Sequence, residues 1–485
     1  MKKTILKGIG LLVVAAAAML AACEMEPEEK PKPRPPVTKV ITDRNLSTEW
    51  GAIVAELAAE FAWEDTVTLD LSGCYADDNA ISGGDWSPTG NDMNIIRYIP
   101  YIKEIILPLN LEVIGDYSFY DCRYLESVTI PDSVTTIGDS AFRGCRISGD
   151  ITIRCGVTTI GDSAFSGCSS LESITVEDGH ANYSSQDGVL FNYEKTELLT
   201  YPAGKSSASY TIPSGVTTIE TYAFYFCWRL TSVTIPSSVD TIGNYAFSDC
   251  TSLNSATISS GVTTIGVQAF SGCKSINSLT IPASVTTIWG GAFYGCESLT
   301  SIAIPSSATT IGDYAFYGCK NLAGAITIPA GVAIIETNAF SGCKSLAGVT
   351  ITAGVTTIKS GAFSDCTSLT SIAIPASVTS IDSGAFNRCT SLASITVDDG
   401  NTTYSSDDGV LLNKNKTILR LCPQGKSGAY TIPSTVSDIP RYFFSGRTRL
   451  TSITIPASVT DIGALAFDGY TSLASVTIPS SVTTI

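Results

Sequence analysis

Apolar and small polar residues alternate along most of this chain in short bursts, and the bursts return every 23 residues. One unit shows the pattern. Leu230-Thr231-Ser232-Val233-Thr234-Ile235-Pro236 alternates and is rich in β-branched residues, which predicts a short strand. Pro236 ends it, because proline lacks the N–H that a further ladder bond needs. Val239 and Ile242 bracket a second short extended segment, and Gly243 turns the chain. Ala246, Phe247 and Cys250 then have the spacing of one helical turn facing inward. The strand phrase returns at Leu125, Leu171, Leu253, Leu299, Leu346, Leu369, Leu392, Leu450 and Leu473. The phenylalanine returns at Phe119, Phe142, Phe165, Phe224, Phe247, Phe270, Phe293, Phe316, Phe340, Phe363, Phe386, Phe444 and Phe467. A fixed period in the twenties predicts a solenoid, because a coil that cannot bury its own apolar face must stack on its neighbours. About 16 coils at roughly 4.8 Å each make a stack about 75 Å long.

The beat lapses twice. Phe165 to Phe224 spans 59 residues and Phe386 to Phe444 spans 58, so two coils leave 13 and 12 residues over. Both gaps hold the same insert, Tyr183-Ser184-Ser185-Gln186-Asp187-Gly188-Val189-Leu190 in one and Tyr404-Ser405-Ser406-Asp407-Asp408-Gly409-Val410-Leu411 in the other. Each predicts a β-hairpin in place of the usual turn, near 177–209 and 398–429. Insertions in a solenoid collect on one face, often the binding face; the alternative is a decorative bulge. Residues 41–98 stand outside the repeat. Trp50, Ile53, Val54, Leu57 and Phe61 share a helical stripe and Val67–Leu71 reads as a strand, which together suit an N-terminal cap before a solenoid at 99–485. The next phenylalanine falls due past Ile485, so the last coil reads as unfinished: a fragment of a longer chain, or an open edge that docks.

The unit Ser-Ile-Thr-Ile-Pro-x-x-Val-Thr-x-Ile-x-x-x-Ala-Phe-x-x-Cys resembles the BspA-like, or Treponema pallidum type, leucine-rich repeat over residues 102–485. The resemblance implies a curved right-handed solenoid, mainly β with short helical turns, carrying a parallel sheet on its concave side. It also implies a non-enzymatic adhesin that attaches to host extracellular-matrix proteins such as fibronectin or fibrinogen, or to other cells.

The N-terminus changes the picture of where such a protein sits. Lys2, Lys3 and Lys7 precede a 15-residue apolar stretch, Gly8 to Ala22, which suits a signal peptide over 1–22 better than a membrane span. Leu20-Ala21-Ala22-Cys23 resembles a bacterial lipobox, which implies cleavage before Cys23 and lipidation of its thiol; an ordinary secretory signal is the alternative. The resemblance implies two or three acyl chains, enough for stable anchoring. Glu24, Glu26, Glu28 and Glu29 resemble the acidic export signal of surface lipoproteins in Bacteroides-like Gram-negative anaerobes. A solvated linker is the plainer reading. Pro27, Pro31, Pro33, Pro35 and Pro36 extend the 23–40 segment into a tether. The expected location is therefore the cell surface, anchored to the outer membrane through lipid alone. Losing the signal removes three positive charges and takes the formal charge from −16 to −19, which disfavours nucleic acid and anionic lipid as partners.

Fifteen cysteines in a secreted chain would ordinarily mean disulfides. Eleven of them, Cys122 to Cys389, sit three residues after a repeat phenylalanine and so form an internal column. Parallel side chains rarely offer the disulfide dihedral, so reduced buried thiols are expected. Cys74, Cys155 and Cys422 stand apart. No Cys-x-x-Cys pair suggests a metal, no cofactor motif occurs, and no nucleophile elbow, phosphate loop or His-Glu-x-x-His is present. The one histidine, His180, reads as an incidental surface residue. The acidic turns Glu177-Asp178-Gly179 and Asp398-Asp399-Gly400-Asn401 have oxygens for calcium but no spacing that fits a known loop.

The sheet face offers Thr, Ser and Ala. Aromatics concentrate beside the phenylalanine instead, at Tyr117, Tyr120, Tyr222, Tyr225, Tyr245, Tyr294, Tyr314 and Tyr317, with Trp228 and Trp289 nearby. Aromatics anchor interfaces, which makes these the candidate partner-binding residues; packing between coils is the alternative. Two further functions remain open beside adhesion: a lipoprotein that captures glycans or nutrients, and a scaffold without a host ligand.

Overall fold

Each unit lays down two short strands, and both register on the next unit without slip. Ser232–Ile235 pairs in parallel with Ser255–Ile258, residue for residue. Thr241–Ile242 pairs in the same way with Thr264–Ile265. The computed structural model describes residues 37–45, 67–75, 80–81, 102–469 and 475–485. The lipobox with Cys23, the acidic and proline-rich stretch up to Pro36, and the stripe from Trp50 to Phe61 lie outside them. Alternation sets the burial: Val233 and Ile235 are buried between the half-exposed Ser232 and Thr234. The result is a curved, mainly-β solenoid with parallel sheets, the architecture that the period and the alternation predict.

The third segment of the unit corrects the expectation of a helical turn. No residue among those described is helical. Instead the chain alternates its handedness around the phenylalanine. Tyr245 and Asp249, two residues either side of Phe247, have φ of 56° and 59°. A right-handed helix cannot contain such residues. Their peptides turn along the solenoid axis: Tyr245, Phe247 and Asp249 donate their N–H to the carbonyls of Val267, Ala269 and Ser271 in the next coil, at 2.7–2.8 Å. The i, i+3 spacing survives only as tight turns, such as the Cys250 N–H on the Phe247 carbonyl at 3.2 Å.

Those turns aim phenylalanine and cysteine inward. From Phe224 to Phe386 successive rings are offset-stacked, with centroids 4.6–5.6 Å apart. Nine of the eleven column cysteines reach with Sγ the carbonyl of the phenylalanine one coil earlier, as Cys250 to Phe224 and Cys273 to Phe247 at 3.0 Å and Cys296 to Phe270 at 3.2 Å. That carbonyl already accepts one turn N–H, so the thiol takes its second lone pair inside the core. Burial pushes the Cys319 and Cys389 thiols up to about 12, which keeps them protonated and able to donate. The thirteen cysteines from Cys122 to Cys422 are free.

The inserts cut this core. Each is a three-stranded antiparallel meander, Tyr183–Gln186, Val189–Asn192 and Glu197–Thr200 in the first, Tyr404–Asp407, Val410–Asn413 and Leu419–Leu421 in the second. The middle strand alternates faces, so its neighbours in sequence serve different cores. Leu190 packs with the block that starts at Val67, while Val189 and Phe191 pack with the block that runs on to Leu411. Val410 and Leu412 open a third block ending at Ala466. The hairpin is thus a septum.

At the N-terminal end Val37–Asn45 pairs in parallel with Val67–Tyr75, which pairs with Ile102–Ile106. Val67, Leu69 and Leu71 are fully buried. The first of these strands begins inside the segment read as a tether, because its backbone continues the sheet of the solenoid.

Candidate functional site

The aromatic residues form two patches on the turn side of the solenoid. Tyr222 stacks on Tyr245 at 4.6 Å and meets Tyr225 edge-on at 5.3 Å. Tyr117 meets Tyr120 edge-on at 5.8 Å. Arg143 joins the two pairs: its guanidinium carbon lies 3.6 Å from the Tyr222 ring centre, 4.9 Å from Tyr225 and 5.8 Å from Tyr120. This contact crosses the Phe165 coil and the first insert. In the second patch Tyr294 stacks on Tyr317 at 4.9 Å, and Tyr314 leans on Tyr317 at 5.7 Å. Trp228 lies under Arg229 at 4.6 Å, and Trp289 stands 47% exposed. Phe226, also exposed, joins the first patch against Tyr225. Tyr117, Tyr222, Tyr245 and Tyr314 all have φ between 56° and 59°, a costly conformation for a bulky residue. Gly291 and Gly361 fill the same place in other coils without strain.

The first insert opens two cavities. One, of about 300 Å³, is lined by Asp162, Glu197 and Glu220 with Ser163, Tyr183 and Thr221. Burial, then Glu197, then Asp162 push the Glu220 carboxyl above the usual range. The other, of about 570 Å³, is a gap in the strand face lined by Ser173, Ser207, Ser209, Tyr210 and Lys205 beside the Asp187–Gly188 tip. The tip is a two-residue turn with φ of 53° and 73°. Its Gly188 carbonyl accepts the Ile174 N–H at 2.9 Å, standing in for the missing next strand.

His180 corrects its reading as a surface residue. It is 4% exposed, and its Nδ1 accepts the N–H groups of Asn182 and Tyr183, both at 3.1 Å. Asn401 Oδ1 does the same for Thr403 and Tyr404 in the second insert. Both start the hairpin. The acidic turns are tied up locally: Glu177 accepts the Cys155 N–H and Arg154 at 2.8 Å, and Asp398 accepts the Gly400 N–H at 2.8 Å. Among the described residues no group of His, Cys, Asp and Glu gathers as a metal site, and no helix is long and apolar enough to cross a membrane.

A family profile described as the BspA type leucine rich repeat region matches residues 94–206, 201–323, 323–408 and 426–485. The chain belongs to this family. No curated protein matches it. Solved structures do. A leucine rich cell surface protein from Faecalibacterium prausnitzii is 35% identical over 53% of this chain and 62% of its own, with a TM-score of 0.43. A leucine-rich repeat protein from Eubacterium ventriosum is 25% identical over 68% of this chain and 86% of its own, with a TM-score of 0.48. One from Bacteroides ovatus is 24% identical over 86% and 80%, with a TM-score of 0.39. The chain therefore spans less than two thirds of the Faecalibacterium protein.

As a BspA-type solenoid the chain presents a long repeated surface. Its sequence pointed to the tyrosines but not to Arg143 or Phe226, and the BspA-type period says nothing about which coils meet across an insert. The two matching inserts were the signal for the cavities.

Proposed function

We propose that this BspA-type chain is a cell-surface adhesin, anchored at the outer membrane through lipid on Cys23, that grips protein ligands with its aromatic ridge. Host matrix proteins such as fibronectin or fibrinogen are the expected ligands. The observation that carries the reading is the backbone of the tyrosines. Tyr314 occupies a left-handed position that Gly291 fills without strain in the preceding coil, and Tyr314 is 41% exposed. A residue held there at a cost of about 1–2 kcal/mol serves through its side chain. Tyr222 and Tyr225 are bound up with Arg143, so the second patch gives the cleaner test. Replacing Trp289, Tyr294 and Tyr314 by Ser, Ser and Gly is expected to weaken adhesion to immobilised fibronectin and fibrinogen at least tenfold while the melting temperature holds. Unchanged adhesion with an unchanged melting temperature rejects the ridge.

Capture of a glycan is the second reading. The hydroxyls of Ser173, Ser207 and Ser209 around the Tyr210 ring in the open gap favour it. A glycan array with the full chain separates the two.

A further inference from the structure

The two inserts share one backbone but differ in charge and in closure. Their meanders have the same register, with Leu190 opposite Thr200 and Phe191 opposite Leu198 in the first, and Leu411 opposite Leu421 and Leu412 opposite Leu419 in the second. Arg420 therefore stands where Leu199 stands, and Ile418 where Glu197 stands. Beyond the insert Tyr442, with φ of 58°, matches Tyr222, with φ of 59°. Arg441 thus replaces Thr221, and Pro440 replaces Glu220. All three carboxylate positions around the first cavity are lost, Ser383 standing where Asp162 stands, and two guanidiniums are gained; Asp382 lies one residue earlier, where Gly161 stands. Five arginines fall between 388 and 449, against one, Arg229, between 155 and 387.

The backbone adds donors at the same place. In an uninterrupted coil three N–H groups around the phenylalanine run to the next coil's carbonyls. In the coil before the second insert those of Gly384, Phe386 and Arg388 have no acceptor among the described residues. They belong to a run with alternating handedness, φ being 84° at Gly384 and 56° at Arg388. The three form a row of parallel donors facing the insert, in the place where an uninterrupted coil meets three separate carbonyls. In the first insert the equivalent run is covered: Tyr225 sits on Gly167, and Ser163 Oγ donates to the Thr221 carbonyl at 3.4 Å. In the second, Ser445 replaces Tyr225, and Gly384 and Arg388 are exposed.

We propose that the second insert is a binding site for a tetrahedral oxyanion, the sulfate or phosphate group of a larger ligand. Two neighbouring N–H groups of this row, those of Gly384 and Phe386 or of Phe386 and Arg388, receive its oxygens. Arg420 and Arg441 supply the forked donors that match such groups, Arg441 from its place over the Tyr442 ring, where its Nη2 also donates to the Tyr442 hydroxyl at 2.8 Å. Arg388 contributes charge while paired with Asp365 at 3.8 Å. The site does not depend on the aromatic ridge.

The test uses the full chain and the double variant Arg420→Leu/Arg441→Thr, which installs residues the first insert already accommodates. The probes are inorganic sulfate, inorganic phosphate, a sulfated oligosaccharide and its desulfated counterpart. Calorimetry is expected to show the sulfated oligosaccharide bound at least tenfold more weakly by the variant, with a shallower salt dependence. Sulfate or phosphate alone is expected to shift the amide resonances of Gly384 and Arg388; whichever anion does so at lower concentration identifies the ligand's source. Equal affinity in the variant, or equal binding of the desulfated sugar, overturns the proposal.

Discussion

Removing one rung of the cysteine column measures what the thiol contributes. Cys273 is fully buried, and its Sγ lies 3.0 Å from the Phe247 carbonyl. Cys273→Ala leaves a void the size of one sulfur, worth about 1 kcal/mol, and forfeits a hydrogen bond worth about 0.5–1.5 kcal/mol. The expected loss is about 1.5–2.5 kcal/mol. Cys273→Ser keeps a donor for the same carbonyl and should recover about half of it. Cys227 supplies the contrast, because its Sγ is 3.7 Å from the Tyr201 carbonyl, too far for a hydroxyl to follow without backbone movement. Serine there is expected to do no better than alanine. A repeat array need not unfold in one step, so hydrogen exchange read coil by coil is the suitable assay. The reasoning fails if serine and alanine are equivalent at 273, or if serine rescues equally at both sites.

The first insert offers two further tests. Glu220 is held above the usual carboxyl range by burial, then by Glu197 and Asp162, so its ionisation opposes folding as pH rises above roughly 4.3. Glu220→Gln should raise the melting temperature at about pH 7 and change it little at about pH 4, and an equal shift at both would disprove the coupling. His180→Ala strips the N–H groups of Asn182 and Tyr183 of their acceptor, at a cost of about 1–3 kcal/mol, whereas His180→Asn copies Asn401. Exchange protection across Asn182–Asn192 should fall for alanine and hold for asparagine; equal losses would refute the assigned role.

The period and the β-branched alternation were enough to place both sheets, the phenylalanine column and the cysteine ladder, since each is a direct reading of identical positions in stacked coils. The turn was misread because Ala-Phe-x-x-Cys spacing fits a helical turn and a run of alternating handedness equally well. The discriminating signal was present: glycine recurs two residues after the phenylalanine, at Gly144, Gly167, Gly272, Gly295 and Gly318, and all have positive φ. Contacts that bridge an insert were not legible at all. Arg143 meets Tyr222 across the Phe165 coil and the insert, a fact about three-dimensional path that no local pattern carries. His180 looked incidental for the same reason, until its counterpart Asn401 showed what the position does.

The septum strands have a mechanical consequence. A long solenoid with one continuous core would resist tension as a single rod. Here the ring column stops at Phe165 and resumes at Tyr201, which stacks on Phe224 at 4.9 Å, and it breaks again between Phe386 and Phe444. Each hairpin divides its side chains between two cores, so one block can yield while the next keeps its bonds. Under load the chain behaves as three elements in series and lengthens in steps, each step dissipating work before the next block carries the strain.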